Sequence, residues 1–116
     1  MNLLTQIDNN PKQKIRMLLD NGNNVIFNFE YRPNQQAWFL AFEYGDVNVQ
    51  NIRLVTSYNL LRGYKSWLPF GLRCDTIDSF EPMDINDFLS GYATLYLLNA
   101  DDVQATEAIY YGKIST

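Results

Sequence analysis

The sequence predicts an all-β protein: a small antiparallel β-barrel or sandwich of six to seven short strands with one or two short helical turns. Three observations lead there. Several runs alternate apolar and polar residues with period two, the mark of half-buried strands. Turn residues recur at a spacing of about ten residues. Aromatic residues make up 15% of the chain, and they favour pleated, half-buried surfaces and protein interfaces.

The elements follow in order. Lys14–Asp20 is the first strand, with Ile15, Met17 and Leu19 on one face, Lys14, Arg16 and Asp20 on the other, and Leu18 breaking the pattern. Asn21-Gly22-Asn23-Asn24 tolerates positive φ and predicts a tight turn. Val25–Tyr31 completes a hairpin, with Val25, Phe27, Phe29 and Tyr31 sharing a face. Arg32-Pro33-Asn34-Gln35 breaks the pattern. Ala37–Tyr44 is a strand apolar on both faces: Trp38, Leu40, Phe42 and Tyr44 on one, Ala37, Phe39 and Ala41 on the other. Such a strand lies centrally in a packed barrel or under a partner. Gly45-Asp46 turns into Val47–Val55, whose phase slips at Asn51–Ile52 and predicts a bulge.

Ser57–Tyr64 reads as a short helical turn or an excursion, and Leu68–Thr76 as a strand entered through Pro69. After a turn at Ser79–Pro82, Asp84–Leu89 is a single helical turn with Asp84 as candidate N-cap. Tyr92–Leu98 is a strand, Asp101–Thr106 a turn or short helix, and Ala108–Ile114 a last strand at an edge. No internal repeat or linker is visible. The 116 residues suit one β domain over 1–116, with Met1–Pro11 and Ile114–Thr116 as candidate mobile arms. With 47% hydrophobic residues, a chain of this size has a core without disulfides or metals and buries roughly two thirds of its unfolded surface.

Composition excludes several functions. The net charge is −4, and no basic stripe of the kind that tracks nucleic acid is present. Lys12, Lys14 and Arg16 alternate with uncharged residues and read as one solvated strand face. An anionic membrane surface is a poor partner for the same reason, and no apolar stretch approaches the ~18 residues that span a bilayer. The N-terminus lacks a signal-peptide pattern, so synthesis in a reducing cytoplasm is expected. The lone Cys74 excludes an intrachain disulfide and reads as a small buried hydrophobe. Without any His, the chain lacks the commonest general base, metal ligand and triad partner.

No phosphate loop, Cys-x-x-Cys, His-Glu-x-x-His or Gly-x-Ser-x-Gly motif is present. Asp84, Asn86 and Asp87 superficially resemble a calcium loop but lack its Gly, spacing and closing Glu; they read as a capping turn. Asp101 and Asp102 join such a site only through tertiary folding. Asp75, Asp78, Glu81 and Asp84 are candidates for a carboxylate enzyme acting on a glycan only by proximity in sequence, and Asp75 and Asp78 read as a polar turn. Trp67 and Trp38 have no basic neighbours suited to stacking on a base, so packing or an interface is the favoured role. Neither catalytic residues, cofactors nor metal ligands are therefore assigned.

The run Asn59–Phe70 is the unusual one. It has weak periodicity yet carries Leu60, Leu61, Tyr64, Trp67 and Phe70 mixed with Arg62 and Lys65, the composition of interface hot spots. Its bland alternative is a loop that folds back and plugs one end of the barrel. Together with Tyr31, Trp38 and Tyr58, the residues Leu60, Leu61, Arg62, Tyr64, Trp67 and Phe70 form the candidate protein–protein interface.

Several segments are also familiar in their order: Tyr31-Arg32-Pro33-Asn34-Gln35-Gln36-Ala37-Trp38-Phe39, Glu43-Tyr44-Gly45, Ile52-Arg53-Leu54-Val55, Asn59-Leu60-Leu61-Arg62 and Leu68-Pro69-Phe70-Gly71-Leu72. Glu81-Pro82, Asp87-Phe88, Ser90-Gly91 and Thr94-Leu95-Tyr96-Leu97-Leu98 complete the series. From about Asn24 to about Asp101, the chain resembles the phage baseplate plug family of contractile-tailed bacteriophages. The resemblance implies a compact β-rich structural protein of the virion, at the centre of the baseplate near hub and spike, helping to close the tail tube. It implies no catalytic motif. Expected partners are hub, spike, tail-tube or sheath-associated subunits and further copies of the chain, in three-fold or six-fold symmetry. An acidic surface would keep the passing genome from adhering. The main alternative is a small ligand-binding β-barrel, with Trp38, Phe42 and Tyr96 lining an internal pocket.

Overall fold

A computed structural model describes residues 2–4 and 7–111. Among the described residues, two antiparallel sheets face each other. One has four strands in the order β2-β3-β4-β5: β2 (Lys12–Leu18), β3 (Asn24–Arg32), β4 (Ala37–Tyr44) and β5 (Val47–Arg53). The other has three, β1-β7-β6: β1 (Asn2–Leu4), β7 (Ala93–Leu98) and β6 (Gly71–Thr76). The sheets do not close on one another, so of the two expected architectures the sandwich is the one formed.

Alternation sets which face each strand buries. Cross-strand pairs Ile15↔Phe27, Phe27↔Phe42 and Phe29↔Leu40 place these side chains on one face, and all are buried. From the second sheet, Leu72↔Leu97 and Cys74↔Leu95 meet them. Leu18, which breaks the alternation of β2, points outward and is exposed. At the β4–β5 turn, Gly45 takes φ +57°, a conformation that favours glycine at the head of a two-residue hairpin loop. The bulge expected at Asn51–Ile52 is present. Leu40 pairs with Ile52 but Phe42 with Val49, and Asn51 lies at φ +63° to absorb the extra residue.

The chain crosses between sheets after β5. The Leu54 amide donates to the Trp38 carbonyl at 2.9 Å, and Ser57 then exchanges backbone hydrogen bonds of 3.0 and 2.9 Å with Cys74. The segment then folds back. Leu61, Leu68 and Phe70 are buried, and the Phe70 ring meets Phe27, Phe42 and Tyr44 edge-on at 6.0, 5.9 and 5.5 Å. Because Leu68–Phe70 serve the core as loop residues, β6 begins only at Gly71, later than the expected strand start.

Three further expectations are corrected. The segment 1–11 is not wholly a free arm: Asn2–Leu4 pairs with β7, and Leu4 and Ile7 are buried. Met1, Thr5 and Gln6 lie outside the described residues. The helix near Asp84 is α1 (Asp87–Ser90), and Asp84 does not cap it; the Asp84 carboxylate accepts from the Asn86 amide at 2.8 Å. Asp87 instead reaches back to the amides of Met83 and Asp84, at 2.8 and 2.9 Å.

Ala108–Ile114 is no strand where it is described. A capping box in which Asn99 and Asp102 bond each other's backbone amides starts α2 (Ala100–Thr106), and the helix widens into a π turn over Glu107–Tyr111. Residues 112–116 lie outside the described set. The β preference of Ile109, Tyr110 and Tyr111 is overridden by tertiary contacts, chiefly Tyr110 stacked on Tyr58 with centroids 3.7 Å apart.

Cys74 is buried as expected, and burial pushes its thiol up to about 12. Native protein at neutral pH should therefore resist alkylation by iodoacetamide, and the thiol should react fast once urea unfolds the chain. Rapid labelling of folded protein would contradict this burial.

Candidate assembly interface

The nine residues expected at an interface do not share one surface. Trp38, Leu61 and Phe70 are buried and belong to the core, because alternation in β4 and the fold-back of 59–70 turn them inward. Tyr31, Leu60 and Tyr64 are half-buried against that core. Tyr58, Arg62 and Trp67 are exposed, Trp67 to 65%.

Tyr58 and Arg62 are in turn engaged by the end of α2. The Arg62 guanidinium donates to Glu107 at 2.7 and 3.2 Å and lies 3.9 Å from the Tyr111 ring centroid; Lys65 Nζ donates to Glu107 at 2.9 Å. Arg62, then Lys65, hold the Glu107 carboxyl below the usual carboxylate range. A lowered folded pKa gives stability that is present above the unfolded value and lost as pH falls through the folded one. Acidification below the ordinary carboxylate range should therefore loosen Glu107–Tyr111 and weaken the near-ultraviolet dichroism of the Tyr58–Tyr110 stack. Glu107→Gln should show that weaker signal already at neutral pH.

A second surface escaped the sequence reading. Between β6 and β7 the chain caps one end of the sandwich. The Tyr31 hydroxyl donates to the Met83 carbonyl at 2.6 Å and Trp38 Nε1 to the Asp84 carbonyl at 3.3 Å, while Trp38 meets Phe88 edge-on at 5.9 Å. The Tyr92 hydroxyl donates to the Asp78 carboxylate, which lowers that carboxyl and raises the phenol. So anchored, the segment leaves Ile77, Phe80, Met83 and Leu89 exposed to 79, 68, 51 and 54%. Its only charges are acidic: Asp75, Asp78, Glu81, Asp84 and Asp87 occupy every third position, and Ile77, Phe80 and Met83 repeat with the same spacing, each one residue before an acid. That short triplet spacing was the available signal. A search for periods of 2 and 3.6 passes over it.

The outer face of the four-stranded sheet has the opposite charge. Cross-strand pairing aligns Lys12 with Glu30, Lys14 with Asn28, Arg16 with Ile26, and Phe39 with both Glu30 and Arg53. Lys12, Lys14, Arg16, Arg32 and Arg53 thus share a face with only Glu30 and Glu43 to oppose them. The solvated reading of the first three holds, since all are exposed. A shallow groove of about 410 Å³ runs across this face, with Phe39 and Ala41 in its lining and Lys12, Lys14 and Arg32 among its polar residues. Arg32 is held 4.0 Å from the Phe39 ring centroid by Glu30 at 3.0 Å and Asn51 at 2.7 Å.

The pocket imagined for a ligand-binding barrel is absent from this core. Trp38 and Phe42 are packed in the interior, whereas Tyr96 lies on the opposite face of its strand from buried Leu95 and Leu97. The candidate catalytic carboxylates have local partners: Asp75 with Arg73 at 3.1 Å, Asp78 with Tyr92, and Asp84 with the Asn86 amide. Among the described residues, no group of three or more acidic or Cys side chains is placed to hold a metal ion. None of the described helices is long and apolar enough to cross a membrane.

A filled core with apolar and charged patches left outside is the geometry of a subunit that binds other proteins. A protein-family model described as cyanophage baseplate Pam3 plug gp18 matches residues 1–100. The chain belongs to this family. No curated protein matches it. Membership in a baseplate plug family implies a structural protein of the virion tail, in keeping with the resemblance read from Asn24 to Asp101.

Proposed function

We propose that the chain closes the end of a contractile tail tube as a plug beside hub and spike, without catalysis, acting through contacts with hub, spike, tube or sheath-associated subunits. Copies are arranged about the tail axis with three-fold or six-fold symmetry. The observation that carries this reading is the exposed apolar loop Ile77–Leu89 on a chain whose two sheets already fill their shared interior. Ile77, Phe80 and Met83 gain from burial against a neighbour. A net charge of −4 also favours a component that DNA passes without adhering.

The test is to remove the gene from the phage and supply the protein in trans. Loss should give particles with defective or leaking tails, complementation should restore them, and labelled protein should appear at the distal tail end in electron micrographs. Intact infectious particles without the protein, or label on the capsid, would overturn the assignment.

A further inference from the structure

Charge is divided along this chain in a way that its own fold does not neutralise. All charged residues from Asp75 to Glu107 are carboxylates, whereas five cations share the outer face of the four-stranded sheet. Among the described residues, Lys12, Lys14, Arg16 and Arg53 form no ion pair, and neither do Asp78, Glu81, Asp84 and Asp87. Each surface also carries apolar groups: Ile77, Phe80 and Met83 on the loop, Phe39 and Ala41 in the groove. We propose that the acidic, apolar loop of one copy docks in the basic groove on the outer sheet face of a second copy.

The two surfaces match in charge sign, in apolar content and in form, a projecting loop and a shallow groove. Arg32 is already positioned by Glu30 and Asn51, so little of its rotamer freedom remains to be lost on binding. The loop is likewise anchored by Tyr31 and Trp38, which keeps Met83 and its neighbours presented outward. The contact joins different patches on the two copies. It is therefore heterologous and builds a ring when the rotation closes. Both patches lie toward the β3–β4 turn: Tyr31 and Trp38 hold the loop from the inner face, and neighbouring Arg32 and Phe39 line the groove outside. Patches on adjoining sides rotate each copy against the last, whereas patches on opposite sides would extend a straight filament.

This inference rests on the assembly role proposed above, and its test reads separately from tail localisation. The full chain is examined by sedimentation velocity at low and at high salt, since screening shortens from ~10 Å at 0.1 M to ~3 Å at 1 M. It should sediment as a multimer at low salt and shift toward the single chain at high salt. Lys12→Glu/Lys14→Glu and Glu81→Lys, at side chains with no hydrogen bond or ion pair among the described residues, should each shift toward single chains with unchanged circular dichroism. Their equimolar mixture should associate again, in alternating order, because each reversed patch then meets an opposite one. A parent chain that is monomeric at low salt, a variant that assembles as the parent does, or a mixture that stays monomeric would overturn the docking. Distal-tail labelling would stand whichever way these measurements fall.

Discussion

Trp38→Ala is expected to destabilise the protein by about 3–5 kcal/mol, the range for removing a fully buried large aromatic side chain. Trp38 is completely enclosed, and it joins two parts of the molecule. Its ring meets Tyr31 edge-on at 5.4 Å and Phe88 at 5.9 Å, and its indole N–H donates to the Asp84 carbonyl at 3.3 Å. The truncation therefore leaves a cavity in the four-stranded sheet's face and frees the loop that caps the sandwich. Trp38→Phe separates the two effects. It keeps most of the packing but removes the donor, with an expected cost of about 1–3 kcal/mol from the lost bond. Urea titration at constant slope measures both. The loop's release is read by hydrogen exchange, which should rise over Ile77–Tyr92 in the Ala variant before it rises in β3. A cost of Trp38→Ala near zero would mean that the ring does not couple sheet and loop.

The same residue marks what was legible in the sequence. Alternation grouped Trp38, Leu40 and Phe42 on one face of β4 without telling which of its two apolar faces points inward, and the hairpins and the bulge at Asn51 were readable from turn residues and phase. These signals are local, arising within a few residues of where they act. The interface assignment of Leu61 and Phe70 failed because hydrophobic composition does not distinguish a side chain turned inward from one turned outward when no period is present, and that of Trp38 failed because both faces of β4 are apolar. Asn59–Phe70 lacks a period because it is a fold-back loop, whose exposure depends on where β4 and β6 lie. The tail of α2 failed for a related reason. Ile109, Tyr110 and Tyr111 have strand propensities, but the capping box at Asn99 and the partners Tyr58 and Arg62, remote in sequence, decide for a helical turn. The exposed loop Ile77–Leu89 was missed because its spacing is neither that of a strand nor that of a helix.

Asn59 and Gly71 carry the second large expected effect. Asn59 is the one buried polar side chain of the described core, 3% exposed. Its Oδ1 accepts from the Leu61 amide at 3.0 Å and the Leu72 amide at 3.2 Å, tying the fold-back loop to the start of β6. Asn59→Ala leaves those two buried amides without that acceptor, and each such loss costs about 1–3 kcal/mol. Gly71 makes room for this side chain: a Cβ there would lie 2.6 Å from Oδ1 and 2.9 Å from Cγ of Asn59. Gly71→Ala must therefore displace the amide, with overpacking of about 1–3 kcal/mol added to the weakened hydrogen bonds. In the double variant the new methyl occupies space the amide has vacated, so its cost should fall below the sum of the single costs by about 0.5–3 kcal/mol. Strict additivity in urea titrations would show that the two residues act independently. Asn59 and Gly71 stand in two segments that carry the resemblance to the plug family, Asn59–Arg62 and Leu68–Leu72. Their contact is one that folding alone requires.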